Sequence, residues 1–353
     1  MMKKIGIVTL TKNPNYGNAL QNIAMQWILR KMGTNPQTIV NYDGSSLFVY
    51  KGNIRYYAKM ILNKHNMRAK DKRRIQFLKC LTKYVEFSKA FWMNNHIQNF
   101  DSDSYDYFIT GSDQVWNPFF GVASSFEMLD FVPSDKRISY AASFGVNSLN
   151  GLDESKTNFI AQSLRKFNSV SVREEAGVEI VRELSGVKAE LCLDPTMLMT
   201  PEEWDDLLEK PKQKLPNRYI AVYMLGDITA EYEKNISSIA EAKEAEVINL
   251  LTDKFFYLNP LEFAWIIKNA LFVCTDSFHA TVFSILYHRN FKIFDRKDKH
   301  ENQNSRFDTL LSICGIIDSD NINWNATEEC ISLERERSIN YLKNALGEKE
   351  YEN

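Results

Sequence analysis

The feature that most constrains this chain is a recurring alternation: a short apolar run, a polar loop, then an apolar series at helical spacing. Residues 5–10 lead into the loop Thr11-Lys12-Asn13-Pro14-Asn15-Tyr16-Gly17-Asn18, after which Ala19, Leu20, Ile23, Ala24, Trp27 and Ile28 fall on one helical face. Gly33 stands where a helix C-cap belongs, and residues 38–42 read as a second buried strand. Two parallel strands need a crossover connection, so a strand, loop, helix, strand unit is how a parallel sheet begins. Residues 105–110, 137–143, 169–172 and 189–193 continue the strand series, with helical patterns over 153–167 and 174–184.

Pro195, Pro201, Pro211 and Pro216 gather in one stretch with Lys210, Lys212 and Lys214, a composition suited to an exposed connection and a domain boundary. The alternation then restarts, with strands expected at 219–225, 247–251, 271–275 and 291–294. Helices are expected at 230–245, 260–270, 277–287, 305–314 and 328–346, Asn259 capping the one that Pro260 opens. At 353 residues and 44% hydrophobic content the chain holds material for about two domains at ~150 residues each. The expected fold is α/β, with two Rossmann-like parallel-sheet domains in tandem over residues 1–195 and 217–327, followed by a C-terminal helix and tail over 328–353. The active site is then expected in the interdomain cleft, where loops at the strand C-terminal ends converge.

Composition removes several function classes. Forty-three Lys plus Arg against forty-five Asp plus Glu leave a net charge of -2, which disfavours a dedicated nucleic-acid binder. No apolar stretch approaches the ~20 residues that span a bilayer, and the start of the chain lacks a signal-peptide core, so a cytoplasmic location is expected. Cys80, Cys192, Cys274, Cys314 and Cys330 are scattered and odd in number, as free thiols would be. Neither they nor the histidines show metal-ligand spacing, so no metal is expected. Residues 51–89 carry twelve Lys or Arg and two acids. A basic helical insertion over about 51–95 either presents a solvated face or docks on an anionic substrate or on the inner membrane surface, where each basic residue near an acidic leaflet is worth about 1 kcal/mol.

Four polar clusters follow strand ends. Thr275-Asp276-Ser277-Phe278-His279-Ala280 opens an apolar helix whose free N–H groups and dipole favour an anion. There His279 either contacts a phosphate and moves a proton or is a packed histidine, and Asp276 and Ser277 are either ligands or N-caps. Gly111-Ser112-Asp113-Gln114-Val115-Trp116-Asn117 offers a tight turn and groups that read sugar hydroxyls, with Trp116 either stacked on a sugar or plugging the core. Ser171-Val172-Arg173-Glu174 resembles a helix start, with Ser171 as N-cap and Glu174 closing a capping box. Arg173 then either clamps a carboxylate or phosphate in the cleft or pairs with Glu175 or Glu179 at the surface. Arg306, beside Asn302, Asn304 and Ser305, is a second candidate anion clamp. A serine-hydrolase elbow, a Walker A loop and a G-x-G-x-x-G turn are all missing, and the pairs Glu174-Glu175 and Glu202-Glu203 read as helix-start charges.

Six segments in order, Asn15-Tyr16-Gly17-Asn18-Ala19-Leu20-Gln21, Thr110 through Asn117, Ser139-Tyr140-Ala141-Ala142-Ser143-Phe144-Gly145, Val172-Arg173-Glu174, Leu193-Asp194-Pro195-Thr196 and Thr275 through Ala280, resemble the polysaccharide pyruvyl transferase family. The resemblance runs from about residue 5 to residue 311. It implies a GT-B-like pair of domains, acceptor side first and donor side second, that moves the pyruvyl group of phosphoenolpyruvate onto two sugar hydroxyls as a cyclic ketal, releasing phosphate. It implies His279 as the active-site histidine and Arg173 as the phosphoenolpyruvate-binding arginine; the chemistry also needs a base, for which Asp113 and Asp276 are candidates. Gly17, Asn18, Gln21, Gly111, Ser112, Gln114, Trp116, Asn117, Ser277 and Arg306 are the expected substrate contacts. Some members carry an arginine two residues before the histidine; here that position is Ser277, and Arg306 is the candidate replacement. No cofactor is implied beyond phosphoenolpyruvate as co-substrate, and the acceptor is a sugar or lipid-linked saccharide in exopolysaccharide or capsule assembly of a bacterial cell. A nucleotide-sugar glycosyltransferase of the same architecture and a noncatalytic glycan-binding or assembly protein are the alternatives.

Overall fold

The computed structural model describes residues 2–11, 13–42, 69–88, 91–94, 96–98, 100–252, 254–297 and 305–348. Its first half runs β1 (Lys4–Val8), α1 (Tyr16–Lys31), β2 (Asn35–Thr38), β3 (Asn41–Tyr42), α2 (Ala69–Tyr84), β4 (Phe91–Asn94), β5 (His96–Gln98), β6 (Tyr107–Thr110) and β7 (Arg137–Ser139). Then come α3 (Glu154–Leu164), β8 (Ser171–Val172), α4 (Glu175–Ser185), β9 (Glu190–Leu191), α5 (Pro195–Leu198) and α6 (Pro201–Asp205). The second half contains β10 (Tyr219–Tyr223), α7 (Ala230–Ala242), β11 (Glu246–Asn249), α8 (Pro260–Asn269), β12 (Phe272–Thr275), α9 (Phe278–Leu286), β13 (Phe291–Ile293), α10 (Ser305–Ile313) and α11 (Trp324–Ala345).

Two four-stranded parallel sheets form the frame, in the orders β2-β1-β6-β7 and β11-β10-β12-β13. Each places its first strand internally, so β1 and β10 are covered on both faces and read as continuous apolar runs. The sheets share one core: Ile5 and Ile7 belong to the same apolar cluster as Tyr223 and Phe263, joined through Tyr16, which stacks on Phe263 at 4.2 Å. All five cysteines are free thiols. No helix among the described residues is long and apolar enough to cross a membrane.

Three expectations need correction. The strand paired with β1 is Asn35–Thr38, earlier than residues 38–42. Gly33, at φ 76°, reverses the chain so tightly that Asn35 N–H already donates to Lys3 O at 2.8 Å. Pro36 misleads a sequence reading, yet on an edge strand its missing N–H points off the sheet. The proline-rich stretch is also more than an exposed connection, because α5 and α6 pack into the core: Trp204 is fully buried, donates to Thr196 O at 3.0 Å and meets Phe283 edge-on. Lastly, α11 starts at Trp324, capped by Asn323, ahead of residue 328. It returns to the first half of the chain, where Tyr341 donates to Ser139 O of β7 (2.8 Å), Arg335 to Met197 O of α5 (2.9 Å) and Leu193 N–H to Ser338 Oγ (3.0 Å). Of the basic insertion, residues 51–68, 89–90 and 95 lie outside the described residues, as do Asn302 and Asn304. Its described helix α2 buries Arg73 against the rings of Tyr16, Phe77 and Phe256.

Candidate active site

At the C-terminal end of β12, Thr275 Oγ1 donates to Tyr223 O (2.6 Å) and accepts the N–H of Ser277 (3.0 Å), which sets the turn into α9. Asp276 is buried, and its two oxygens accept the N–H groups of Leu225 and Gly226 at 2.7 Å each, strapping the loop after β10 to the loop after β12. Ser277 is the N-cap residue of α9 and makes no side-chain cap bond, so the first-turn N–H groups are left for another partner. His279 follows in that first turn, 6% exposed.

The His279 ring is packed against the first turn of α1. A Cβ on Gly17 would stand 2.0 Å from His279 Nδ1, so only glycine admits the ring there. The other ring nitrogen, Nε2, faces Asp194 Oδ2 at 3.5 Å. Asp194 is the hub behind the site. Oδ2 is also 2.9 Å from Ser112 Oγ and 3.0 Å from Arg173 Nη1, while Oδ1 accepts from Thr196 N–H (3.0 Å) and Oγ1 (2.6 Å). Burial alone would raise the carboxyl's pKa, but His279, Arg173 and Thr196 together hold it far below the usual carboxylate range.

Arg173 is neither a surface ion-pair partner of Glu175 or Glu179 nor a wall of the cleft. It is 3% exposed, lies over the Phe278 ring at 4.1 Å and faces three carboxylates: Asp194 at 3.0 Å, Asp113 at 3.5 Å and Glu174 at 3.8 Å. Burial opposes its charge, but Asp113, Asp194 and Glu174 outweigh burial and raise its pKa. The expected capping box is replaced by pairing: Ser171 lies in β8, and Glu174, though at the N-cap of α4, uses Oε1 to accept from Ser143 Oγ (2.9 Å) and from Phe144 and Gly145 N–H (2.9 and 3.2 Å).

Following β6, Gly111 has φ 126° and approaches Tyr140 O so closely that a Cβ would lie 2.0 Å away. Gln21 then braces the loop, accepting from Ser112 N–H (3.2 Å) and donating to Thr9 Oγ1 (2.7 Å) and Asn18 O (3.0 Å). Gln114 accepts from Asn117 Nδ2 at 2.8 Å, and Asn117 Oδ1 accepts from Phe119 N–H at 3.0 Å. Trp116 corrects the expectation of a substrate contact: it is fully buried, because Phe144 and Phe167, each 5.5 Å away, complete an apolar core around it.

These loops enclose a cavity of about 690 Å³. Of the expected site residues, Asn18, Asp113, Gln114, Ser277, His279 and Arg306 line it. Gly17, Gln21, Gly111, Ser112, Asn117 and Asp276 support its walls, and Arg173 lies behind Phe278. Arg306 is the contrast to Arg173. It is 6% exposed, and its Nε is buried without a hydrogen-bond partner. Among the described residues no carboxylate lies within ion-pair distance of it. Burial and the charge of Arg173 push its pKa down to about 10. Among the described residues no cluster of three or more His, Cys, Asp or Glu is placed to hold a metal.

Sequence reasoning about single residues passed over Asp194 and the cavity-lining Phe119, Phe120 and Glu127. The signal for Asp194 was the Asp-Pro pair closing the run 189–193. Phe119 and Phe120 stand in a single 3-10 turn capped by Asn117, too short to carry a periodic signal.

The sequence matches the description "Polysaccharide pyruvyl transferase" over residues 15–298. The chain belongs to the polysaccharide pyruvyl transferase family. It is therefore a transferase by family, and the histidine, Asp194 and arginine constellation is this pyruvyl transferase's candidate active site. No curated protein matches the chain. Among solved structures, S. aureus MnaA, in a co-structure with UDP, is similar at TM-score 0.51 and 9% identity, covering 99% of this chain and 98% of that one. The UDP-GlcNAc 2-epimerase of Methanocaldococcus jannaschii is similar at TM-score 0.45 and 12% identity, covering 94% of this chain and 92% of that one. The likeness to MnaA, with the two parallel sheets, establishes a GT-B-like α/β fold with its cavity between the sheets.

Proposed function

We propose that this pyruvyl transferase moves the enolpyruvyl carbons of phosphoenolpyruvate onto two hydroxyls of a sugar, as a cyclic ketal, and releases phosphate. One observation carries the reading: His279, backed by Asp194, and Arg306, which has no carboxylate at ion-pair distance among the described residues, open onto the same cavity at the start of α9, where Ser277 makes no side-chain cap bond. The donor's carboxylate and phosphate are two anions, and a helix N-terminus and a buried guanidinium supply two complementary sites.

Protonation of the donor's methylene carbon makes its neighbour electrophilic. One sugar hydroxyl adds there, phosphate departs, and the second hydroxyl closes the ring. Of the two protons lost by the hydroxyls, one balances the new methyl group and the other leaves with phosphate. His279 is the acid in this scheme, with Asp194 orienting its ring, and Asp113, on the cavity wall, is the candidate base. The first sheet's side takes the acceptor and the second sheet's side the donor. The reading needs no metal or organic cofactor. We place the acceptor, a sugar or lipid-linked saccharide, at the cytoplasmic face of the inner membrane of a bacterium, where the basic segment offers peripheral contact and exopolysaccharide or capsule precursors are assembled.

Thermal-shift titration with phosphoenolpyruvate tests the donor. A ligand at 100 times its Kd stabilises the native state by about 2.7 kcal/mol. A shift in the wild type that vanishes in Arg306→Ala is the expected result, with His279→Ala retaining binding and losing turnover by about 10²–10⁴-fold. A shift with UDP and none with phosphoenolpyruvate would replace this reading by the nucleotide-sugar one.

A further inference from the structure

Helix α4 begins directly after Arg173-Glu174, and its N-cap residue does not cap it. Glu174 makes no side-chain cap bond; its Oε1 instead accepts from Ser143 Oγ and from the N–H groups of Phe144 and Gly145. The first-turn N–H groups of α4 still need acceptors, and one comes from the other half of the chain. Glu175 N–H donates to Thr309 Oγ1 at 3.2 Å, and Thr309 is buried at 4% exposure. A hydroxyl oxygen on α10 thus stands where the N-cap acceptor of α4 belongs.

The same helix carries Arg306. Arg306 and Thr309 are three positions apart, about one helical turn, and both are buried, so they share one face of α10. Arg306 lines the cavity and Thr309 does not. No ion pair fixes the Arg306 guanidinium among the described residues. Of the charges that act on it, the repulsion of Arg173 is the strongest, ahead of the attraction of Asp113 and Glu174. Arg173 stands immediately before the start of α4, so the bond from Glu175 to Thr309 joins two elements that bring like charges together. The buried side chains Phe307 and Leu310 add apolar packing to α10, but packing alone does not set a helix along its axis as a directed hydrogen bond does.

We propose that Thr309 is a positioning residue for the donor: its hydroxyl oxygen takes over the cap that Glu174 gives up, ties α10 to α4, and so holds the Arg306 guanidinium at the cavity wall. The proposal rests on the reading of Arg306 as the donor's cation. Thr309 acts through that cation and touches no substrate, so its loss leaves Arg306 present but no longer held where the donor's anionic group arrives. His279 is set by Gly17 and Asp194, neither of which lies on α10, and is unaffected. The donor site is then complete only when α10 of the second half is docked on α4 of the first.

The test separates shape from hydrogen bonding. Thr309→Val keeps the volume and removes the acceptor, whereas Thr309→Ser keeps the acceptor. Phosphoenolpyruvate and, separately, UDP are titrated into the full chain of wild type and both variants, and each substitution is repeated in an Arg306→Met background. If the untethered helix holds Arg306 in place about a tenth of the time, the Kd of phosphoenolpyruvate rises about tenfold in Thr309→Val. Thr309→Ser should stay within about twofold of wild type, and Thr309→Val should add less than about twofold once Arg306 is Met. An unchanged Kd in Thr309→Val overturns the proposal. So does a serine variant as weak as the valine one, and so does a valine effect that is as large without Arg306 as with it. The same pattern seen with UDP, in a wild type that does not bind phosphoenolpyruvate, sinks the donor reading and leaves the positioning role standing; a wild type that binds neither ligand removes both.

Discussion

Arg173 and Arg306 are both buried beside the cavity, and they differ in what surrounds them. Both keep buried guanidinium nitrogens without a hydrogen bond, but Arg173 faces three carboxylates at ion-pair distance, whereas Arg306 has none there among the described residues, and burial and the neighbouring charge of Arg173 lower its pKa. A buried charge that the fold itself neutralises holds structure, and one that the fold leaves unmatched stores affinity for an anion. The arginine that a resemblance nominates for the donor is thus the one that assembles Asp113, Glu174 and Asp194, while Arg306 lines the cavity.

The sharpest way to break this contrast is to remove each charge in turn. Arg173→Met leaves the buried Asp194 and Glu174 and the half-buried Asp113 without their cation and should cost about 3–5 kcal/mol in urea unfolding. Arg306→Met should weaken phosphoenolpyruvate binding by about 1.5–3 kcal/mol, roughly 10- to 150-fold, yet leave the unliganded protein as stable as wild type or more so. If Arg306→Met unfolds as early as Arg173→Met, the division between holding and binding fails.

A third experiment probes the His279 ring. Gly17→Ala forces a Cβ into His279 and should cost about 1–3 kcal/mol, most of it recovered when His279→Ala is added, because the second change vacates the space. Additive losses in the double variant would refute that contact. The smallest effect is in pH. Asp194 has a folded-state pKa depressed below its unfolded value, so its stabilisation is complete above the unfolded value near 3.9 and is lost as pH falls below it. Wild type should therefore lose stability on acidification more steeply than Asp194→Asn, by up to about 1.4 kcal/mol per pH unit for the one proton. Parallel acid profiles of the two proteins would contradict the assignment.

Some of the site was legible from order alone. Asn259 with Pro260 and the loops closing β6 and β12 carry local rules, namely caps, turns and strand ends, and these operate within a few residues of chain. What was missed was non-local. Ser171 and Glu174 have the spacing of a capping box, but β8 pairing and the N–H groups of Phe144 and Gly145 outbid it. Trp116 sits in a polar motif yet is claimed by Phe144 and Phe167 from distant segments.

By itself the sequence determined the alternation, two parallel sheets, and the convergence of loops bearing His279 and Asp113, because periodicity and caps are properties of neighbouring residues. Only the tertiary structure decided which arginine is neutralised, why Gly17 must be glycine, and that Phe119, Phe120 and Glu127 line the cavity. Charge matching and close contact depend on groups separated by up to hundreds of residues, and the packing of both sheets into one core brings them within a few ångströms.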